Sequence, residues 1–193
     1  ASLADEATRR AALVRAAQEL AGALAHLHGR GLIHGDVCPA NVRLAGDGRA
    51  VLIDFGLAGP PVPGDGAARG TLGYAAPEAL TGVRSAAVDL FALGATLFEA
   101  WSGAAPFGRG LPAVQRMLSE PAPLLSSIRP GLGDGWDALI ARLLAADPGE
   151  RPASARELLR EVIRLSAGAE TPAEVDLGVP YPEGDPLAGI FVG

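Results

Sequence analysis

The sequence predicts a mainly α-helical fold that carries one small β-hairpin. From about Ala4 to His28, apolar residues recur at steps of three and four, which is the spacing of one helix face. The run from Val88 to Trp101 is apolar on nearly every side, so we expect a buried central helix there. Between two short β-like runs, Asp47-Gly48 is a dipeptide typical of a tight hairpin turn.

The remaining elements are predicted from similar local signals. The hairpin strands are expected around Asn41–Leu44 and Ala50–Ile53, where Val42 and Leu44 alternate with other residues, as do Val51 and Ile53. Residues 59–70 are rich in glycine and proline, which predicts a loop. Three more helices are expected, at Pro112–Ser119, Trp136–Ala146 and Ala153–Leu165. Ser154 followed by Glu157 forms a capping box for the last of them.

The chain divides into one domain and a tail. Residues 1–166 contain all the periodic segments and are long enough to bury a core. Residues 167–193 are rich in proline, glycine and acidic side chains, so we interpret them as a linker towards a further domain downstream.

Composition excludes several classes of function. A net charge of −6 argues against nucleic acid as the main partner. The single cysteine, Cys38, excludes an internal disulfide framework, and no apolar run reaches the roughly 18 residues of a membrane span. We therefore expect a soluble cytoplasmic protein. All 16 basic residues are arginine, so this chain offers no lysine for a Schiff base or for an ammonium contact to a phosphate.

Three motifs in order suggest the chemistry. The segment 34–41 reads His-Gly-Asp-Val-Cys-Pro-Ala-Asn, residues 54–56 read Asp-Phe-Gly, and residues 70–78 end in Ala-Pro-Glu. Oxygens of an Asp and an Asn on loops that flank one hairpin suit Mg²⁺, which binds carboxylates together with phosphate oxygens. A separate Asp is able to accept a proton from an incoming hydroxyl. This layout is typical of phosphoryl transfer.

The ordered set resembles the C-terminal lobe of a bacterial-type (Hanks-type) serine/threonine protein kinase. That family carries a His-x-Asp loop ending in Asn, then Asp-Phe-Gly, then Ala-Pro-Glu. The similarity runs from the first helix to about Leu165, without the N-terminal lobe of such kinases. It implies ATP and Mg²⁺ as cofactors, a protein substrate with a Ser or Thr acceptor, and an N-lobe upstream as a partner of this lobe.

The resemblance also implies roles for the site residues. Asp36 would be the catalytic base, while Asn41 and Asp54 would hold Mg²⁺ against the phosphates of ATP. Thr71 would line the substrate pocket and hydrogen-bond towards Asp36, a position that favours Ser/Thr acceptors. Arg43 stands where the adenine floor usually has a leucine, and its aliphatic stem would lie under the base.

Other residues would be structural by the same resemblance. His34 would pack under the catalytic loop and orient it, and Phe55 and Gly56 complete the Asp-Phe-Gly motif. Asp89, at the start of the central helix, would brace the catalytic loop. In addition, Glu78 would pair with Arg151, because a planar guanidinium and a carboxylate form a bidentate contact.

Two further departures from the family pattern, besides Arg43, affect these expectations. Gly35 replaces the arginine that reads an activation-loop phosphate, and residues 57–70 contain no Ser, Thr or Tyr. Both the arginine that would bind the phosphate and the hydroxyl that would carry it are missing. We therefore do not expect switching by loop phosphorylation. Cys38 replaces the catalytic-loop lysine, and a thiol supplies no positive charge to the transferring phosphoryl group.

Two other functions stay open on the sequence. Gly35 and Cys38 are compatible with a pseudokinase that serves as a binding or scaffold module, although Asp36, Asn41 and Asp54 are retained. The His-Gly-Asp motif also occurs in small-molecule kinases that resemble the aminoglycoside phosphotransferases. The Ala-Pro-Glu segment, Thr71 and Arg151 oppose that alternative, because in the kinase family they build a platform for a peptide substrate.

Overall fold

The computed structural model of this chain describes residues 3–128, 130 and 133–167. Its α-helices in this part of the chain are α1 (Leu3–Gly29), α2 (Ala86–Ser102), α3 (Leu111–Ser119), α4 (Leu125–Ile128), α5 (Asp134–Leu143) and α6 (Ala155–Ser166). Two antiparallel strands, β1 (Val42–Leu44) and β2 (Ala50–Leu52), form the sheet. Single 3₁₀ turns lie at Pro39–Asn41, Pro77–Thr81 and Pro148–Glu150. The prediction of a mainly helical fold with one small hairpin is confirmed.

Helix α2 forms the centre of the core. It is buried continuously from Val88 to Phe98 and again at Trp101, as its apolar sequence predicts. Helices α1 and α5 pack against it, and α6 packs against α1. Gly94 permits the close contact with α5, because a Cβ atom at this position would lie 2.6 Å from Cβ of Leu143.

The hairpin joins the two loops that carry the chemical motifs. Val42 pairs with Leu52 and Leu44 with Ala50, and the turn at Asp47-Gly48 has Gly48 at φ +78°. In β2, Ala50 and Leu52 are buried whereas Val51 is 39% exposed. Val51 and Ile53, whose alternation predicted the strand, therefore lie on the face opposite to the buried one.

The helix boundaries differ from the sequence prediction by up to three residues, most at the end of α5. Helix α5 ends at Leu143 rather than Ala146, and the guanidinium of Arg151 takes the carbonyl oxygens of Ala145 and Ala146 beyond this end. Helix α6 begins at Ala155, after Ser154. The Ser154 hydroxyl accepts the N–H of Glu157, and the Glu157 carboxylate accepts the N–H of Ala153, one residue before the position of an ordinary capping box.

Two further expectations concern the linker at the end of the chain and membrane-spanning helices. The linker expected at residues 167–193 lies, after Ala167, outside the described residues. Among the residues that are described, no helix has the length and apolar character needed to cross a membrane.

Candidate active site

The carboxylate of Asp36 lies between two side chains from opposite sides of the site. Thr71 donates its hydroxyl to Oδ1 of Asp36 at 2.7 Å. Asn41 donates Nδ2 to Oδ2 of Asp36 at 3.0 Å and to the Asp36 carbonyl at 2.8 Å. The structure therefore brings Thr71 to Asp36 across 35 positions of the chain, and it fixes both carboxylate oxygens of Asp36.

The backbone of Ile53 connects this cluster to Asp54. Its N–H donates to the carbonyl of Asn41 at 2.9 Å, and its carbonyl oxygen lies 3.1 Å from Nε2 of His34. Because Asp54 follows directly, these two bonds determine where the Asp-Phe-Gly turn leaves the hairpin.

Asp54 has an unusual backbone conformation. With φ +62°, it is a non-glycine residue in the left-handed region, a strained conformation that is concentrated at functional sites. Its Oδ1 accepts the N–H of Gly56 at 3.1 Å, and the side chain is exposed. Asn41 uses its amide nitrogen on Asp36, which leaves its Oδ1 oxygen for a ligand. Oxygen donors from an Asp and an Asn fit the preference of Mg²⁺.

His34 and Phe55 support the loops from below. The His34 ring is fully buried and meets the Phe55 ring edge-on, with centroids 5.1 Å apart. Nδ1 of His34 accepts the N–H of Asp36 at 3.3 Å, so Nε2 carries the proton that is donated to the Ile53 carbonyl. The ring therefore joins both motif loops.

Asp89 binds the backbone of the loop 34–41, which carries Asp36. Its buried carboxylate accepts the N–H groups of His34 and Gly35, each at 2.8 Å, from the first turn of α2. A third bond, also 2.8 Å, joins it to Nε2 of His28 at the end of α1. Sequence reasoning missed His28, because no local pattern signals a partner 61 positions away.

Gly35 adopts a conformation that a side chain would strain. Its φ is +81°, and a Cβ atom there would lie 3.1 Å from the carbonyl oxygen of Leu57. The backbone at this point therefore suits glycine better than the arginine that the family pattern has.

The segment after Thr71 forms a second polar cluster, which the sequence did not signal. The carbonyl of Thr71 accepts the N–H groups of Tyr74 and Ala75, each at 3.0 Å. The Tyr74 hydroxyl donates to Glu99 on α2, and the Arg109 guanidinium binds the other oxygen of Glu99 at 2.7 Å. Burial, reinforced by the Glu99 carboxylate, raises the pKa of Tyr74 to about 12.

The Ala-Pro-Glu segment is anchored by a bidentate ion pair. Arg151 donates NH1 to Oε1 of Glu78 at 2.6 Å and NH2 to Oε2 at 3.0 Å. The Arg151 side chain is fully buried and also lies over the Phe91 ring, 5.0 Å from its centroid. Its remaining N–H groups donate to main-chain carbonyls, among them that of Ala87.

The two departures with side chains lie in different environments. Cys38 is buried, and its sulfur is 3.8 Å from the Thr71 hydroxyl. Arg43 is exposed on β1, opposite Val51, and no contact of its guanidinium contributes to the site.

Chemically, the cluster combines a fixed carboxylate, oxygen donors for a hard metal ion and the hydroxyl of Thr71 beside the carboxylate. Asp36 is accessible enough to receive a proton, and Asp54 and Asn41 supply oxygens on the adjoining loops. The arrangement suits transfer of a phosphoryl group to a hydroxyl.

Comparison with known proteins gives relatives among bacterial kinases. The chain is 39% identical over 166 residues to serine/threonine-protein kinase PknJ of Mycobacterium tuberculosis (strain ATCC 25618 / H37Rv), which covers 79% of this chain and 28% of PknJ. It is 37% identical over 175 residues to PknK of the same strain, which covers 83% and 16%. For PknD the identity is 36% over 160 residues, with 78% and 23% covered. The chain spans less than a third of each of these relatives.

A family comparison covers most of the chain. Residues 3–163 match the family described as "Protein kinase domain", a range that includes all three motif loops and the Glu78–Arg151 pair. The chain belongs to the protein kinase domain family.

Proposed function

We propose that this chain is the catalytic-loop and substrate-binding lobe of an ATP-dependent protein serine/threonine kinase. The observation that carries the proposal is the carboxylate of Asp36, held on one oxygen by Thr71 and on the other by Asn41. The names of the relatives support serine and threonine as acceptors.

The proposed reaction moves one phosphoryl group and one proton. The acceptor hydroxyl approaches Asp36, which orients it and receives its proton as the new bond from oxygen to the γ-phosphorus forms. The bond between that phosphorus and the oxygen of the departing ADP breaks on the opposite side. Thr71 and Asn41 keep the carboxylate directed, because each hydrogen bond fixes one of its oxygens.

ATP and Mg²⁺ are the proposed cofactors. Asn41, through Oδ1, and Asp54, through its exposed carboxylate, are the residues that would hold the ion. When bound, Mg²⁺ neutralises charge on the phosphate oxygens. Arg43 is proposed to lie beside the base of ATP, where its aliphatic stem replaces the usual leucine.

The proposal requires a second lobe. The chain contains no lysine, so the ammonium that a kinase places on the ATP phosphates must come from an N-lobe encoded upstream. The relatives, each more than three times as long as the matched region, support a longer parent protein with further domains. We propose the cytoplasm as its location.

A pseudokinase is the second candidate, and one observation favours it. Cys38 is buried and uncharged where the family has a lysine, so it gives no electrostatic help to the transferring group. A scaffold function would retain the fold and the Glu78–Arg151 pair without requiring transfer.

The test measures phosphoryl transfer by the complete protein that contains this chain. Asp36→Asn removes the proton acceptor with little change of shape, so we expect the rate of labelling from γ-labelled ATP to fall about 10²- to 10⁴-fold. Asp47→Asn is the matched control, because this exposed hairpin residue undergoes the same carboxylate-to-amide change and Asn-Gly also suits the turn. Equal labelling by wild type and Asp36→Asn would reject the enzyme. Labelling of a small alcohol alone would favour a small-molecule kinase.

A further inference from the structure

Residues 62–69, here called the strap, lie along the chain that follows Ala-Pro-Glu. Val62 exchanges backbone hydrogen bonds of 2.8 and 2.9 Å with Arg84. Gly66 and Arg69 donate their N–H groups to the carbonyls of Thr81 and Ala79, each at 3.1 Å. The strap therefore follows residues 79–84 over its whole length, although it contains no helix and only an isolated bridge.

One charged pair, Asp65 and Arg69, lies within the strap. Arg69 donates two parallel hydrogen bonds to Asp65, NH1 to Oδ1 at 2.8 Å and NH2 to Oδ2 at 2.5 Å. NH1 also reaches the carbonyl of Gly82 at 2.7 Å, and Oδ1 accepts the N–H of Ala67 at 3.0 Å. The pair therefore joins the second half of the strap to Gly82, on the segment along which the strap lies.

Gly82 is shaped to receive this pair. It ends the 3₁₀ turn Pro77–Thr81 with φ +85°, and a Cβ atom there would lie 2.3 Å from Oδ1 of Asp65. The carboxylate therefore packs directly against the backbone, in space that only glycine leaves open. The same turn contains Glu78, which Arg151 anchors.

The pair lies next to the catalytic residues. Arg69, Gly70 and Thr71 line one narrow crevice together with Gly35 and Asp36. Gly70 packs closely, since a Cβ atom there would lie 3.3 Å from the carbonyl oxygen of Gly35. Arg69 precedes Thr71 by two residues, so the strap ends directly beside the hydrogen bond from Thr71 to Asp36.

We propose that Asp65 and Arg69 are positioning residues that hold the activation segment, the chain from Asp54 to Glu78, in its substrate-binding conformation in place of a phosphate. The inference rests on the proposed kinase function for its catalytic consequence. Residues 57–70 offer no hydroxyl to phosphorylate, and Gly35 offers no guanidinium to receive a phosphate. An internal carboxylate and guanidinium supply the same kind of contact within the strap itself.

The charge of this pair is permanent near neutral pH. The Arg69 guanidinium lowers the pKa of Asp65 to about 2, with the Ala67 N–H as a further cause. The Asp65 carboxylate therefore stays ionised. Unlike the charge of a phosphate group, its charge is neither added nor removed by a second enzyme. Accordingly, the strap would order the site constitutively.

The first test measures the strap itself by hydrogen exchange in the complete protein. Asp65→Asn keeps the size of the side chain and removes its charge, so amides in peptides covering residues 62–69 should exchange about tenfold faster. Asp47→Asn is the matched control, because it breaks an exposed Asp–Arg pair of 2.7 Å on the hairpin. Exchange in the strap equal to that of the control would overturn the proposal. This measurement does not depend on catalysis.

The second test measures peptide phosphorylation. Asp65→Asn should raise KM for the peptide about tenfold and leave KM for ATP unchanged, and Asp65→Glu should restore part of the loss. Phosphatase treatment of the wild-type protein should leave its rate unchanged. Loss of the wild-type rate after phosphatase, or an equal change in both KM values, would overturn the positioning role. Absence of any Asp36-dependent transfer would instead reject the proposed function, and the exchange result would still decide the strap.

Discussion

At the scale of single residues, several buried polar groups of the site are held by partners from distant segments. Asp89 shows this most clearly, because its carboxylate has no solvent exposure and accepts hydrogen bonds from His28, His34 and Gly35. A buried carboxylate without these donors would be costly, so the three bonds make the position of the catalytic loop part of the stability of the core.

Tyr74 allows a pH prediction at the same scale. Because its pKa in the folded protein is about 12, above the ordinary value of 10, its contribution to stability is complete below pH 10. It is lost as the pH rises from about 10 through about 12. Tyr74→Phe should therefore lose about 1–2 kcal/mol at pH 8, where the hydrogen bond to Glu99 is missing.

The measurement is urea denaturation of wild type and Tyr74→Phe between pH 8 and the alkaline limit of folding. We expect the free energy of unfolding to fall less steeply above pH 10 in the variant, which has no phenol to ionise at this position. Parallel pH profiles would show that Tyr74 ionises as freely in the folded protein as in the unfolded chain.

At the scale of elements, the Glu78–Arg151 pair joins the turn Pro77–Thr81 to the chain between α5 and α6. The Arg151 side chain is fully buried and that of Glu78 is 16% exposed, so removal of either partner leaves a charge with poor access to water. Arg151→Met or Glu78→Gln should each lower the free energy of unfolding by about 3–5 kcal/mol and should also reduce activity.

A double-mutant cycle distinguishes the coupling between Glu78 and Arg151 from a simple loss of packing at either residue. The double variant should lose clearly less stability than the sum of the two single losses, because the second change removes a charge that the first left unpaired. Thermal and urea unfolding of the four proteins supply the numbers. Additive losses, or unchanged melting of both single variants, would contradict a coupled pair.

Elements also show why some predictions from sequence succeed. The helices α1 and α2 carry their own periodic or apolar signal, and Asp47-Gly48 specifies a turn by its backbone preference alone. Beyond the end of α5, by contrast, Arg151 takes the carbonyls of Ala145 and Ala146, which the sequence pattern assigns to the helix. No local pattern contains that information.

The residues of the candidate site also fall into two groups, those that sequence motifs indicate and those that only the tertiary structure reveals. Motif order was sufficient to single out Asp36, Asn41, Asp54 and Thr71, since each lies at a fixed offset within a recognisable segment. By contrast, His28 and the cluster of Tyr74, Glu99 and Arg109 are joined only by packing of the helices. Such contacts require tertiary structure, so residue types and spacing do not predict them.

At the scale of the whole molecule, the core and the site depend on each other. Helix α2 provides the centre of the core and, through Asp89 and Glu99, two of the carboxylates that hold the loops. The absence of lysine from the chain fits one lobe of a two-lobed enzyme, with Cys38 in the remaining lysine position of the family pattern. We therefore expect an activity that needs the complete parent protein.

The most direct measurement is mass spectrometry of the products formed by that protein with Mg²⁺ and ATP on a mixed peptide library. We predict phosphate on serine and threonine hydroxyls, absent when Mg²⁺ is chelated and about 10²- to 10⁴-fold lower in Asp36→Asn. Two results would contradict this prediction. One is phosphate on tyrosine, and the other is the absence of any phosphopeptide from wild-type protein that is as well folded as the control Asp47→Asn.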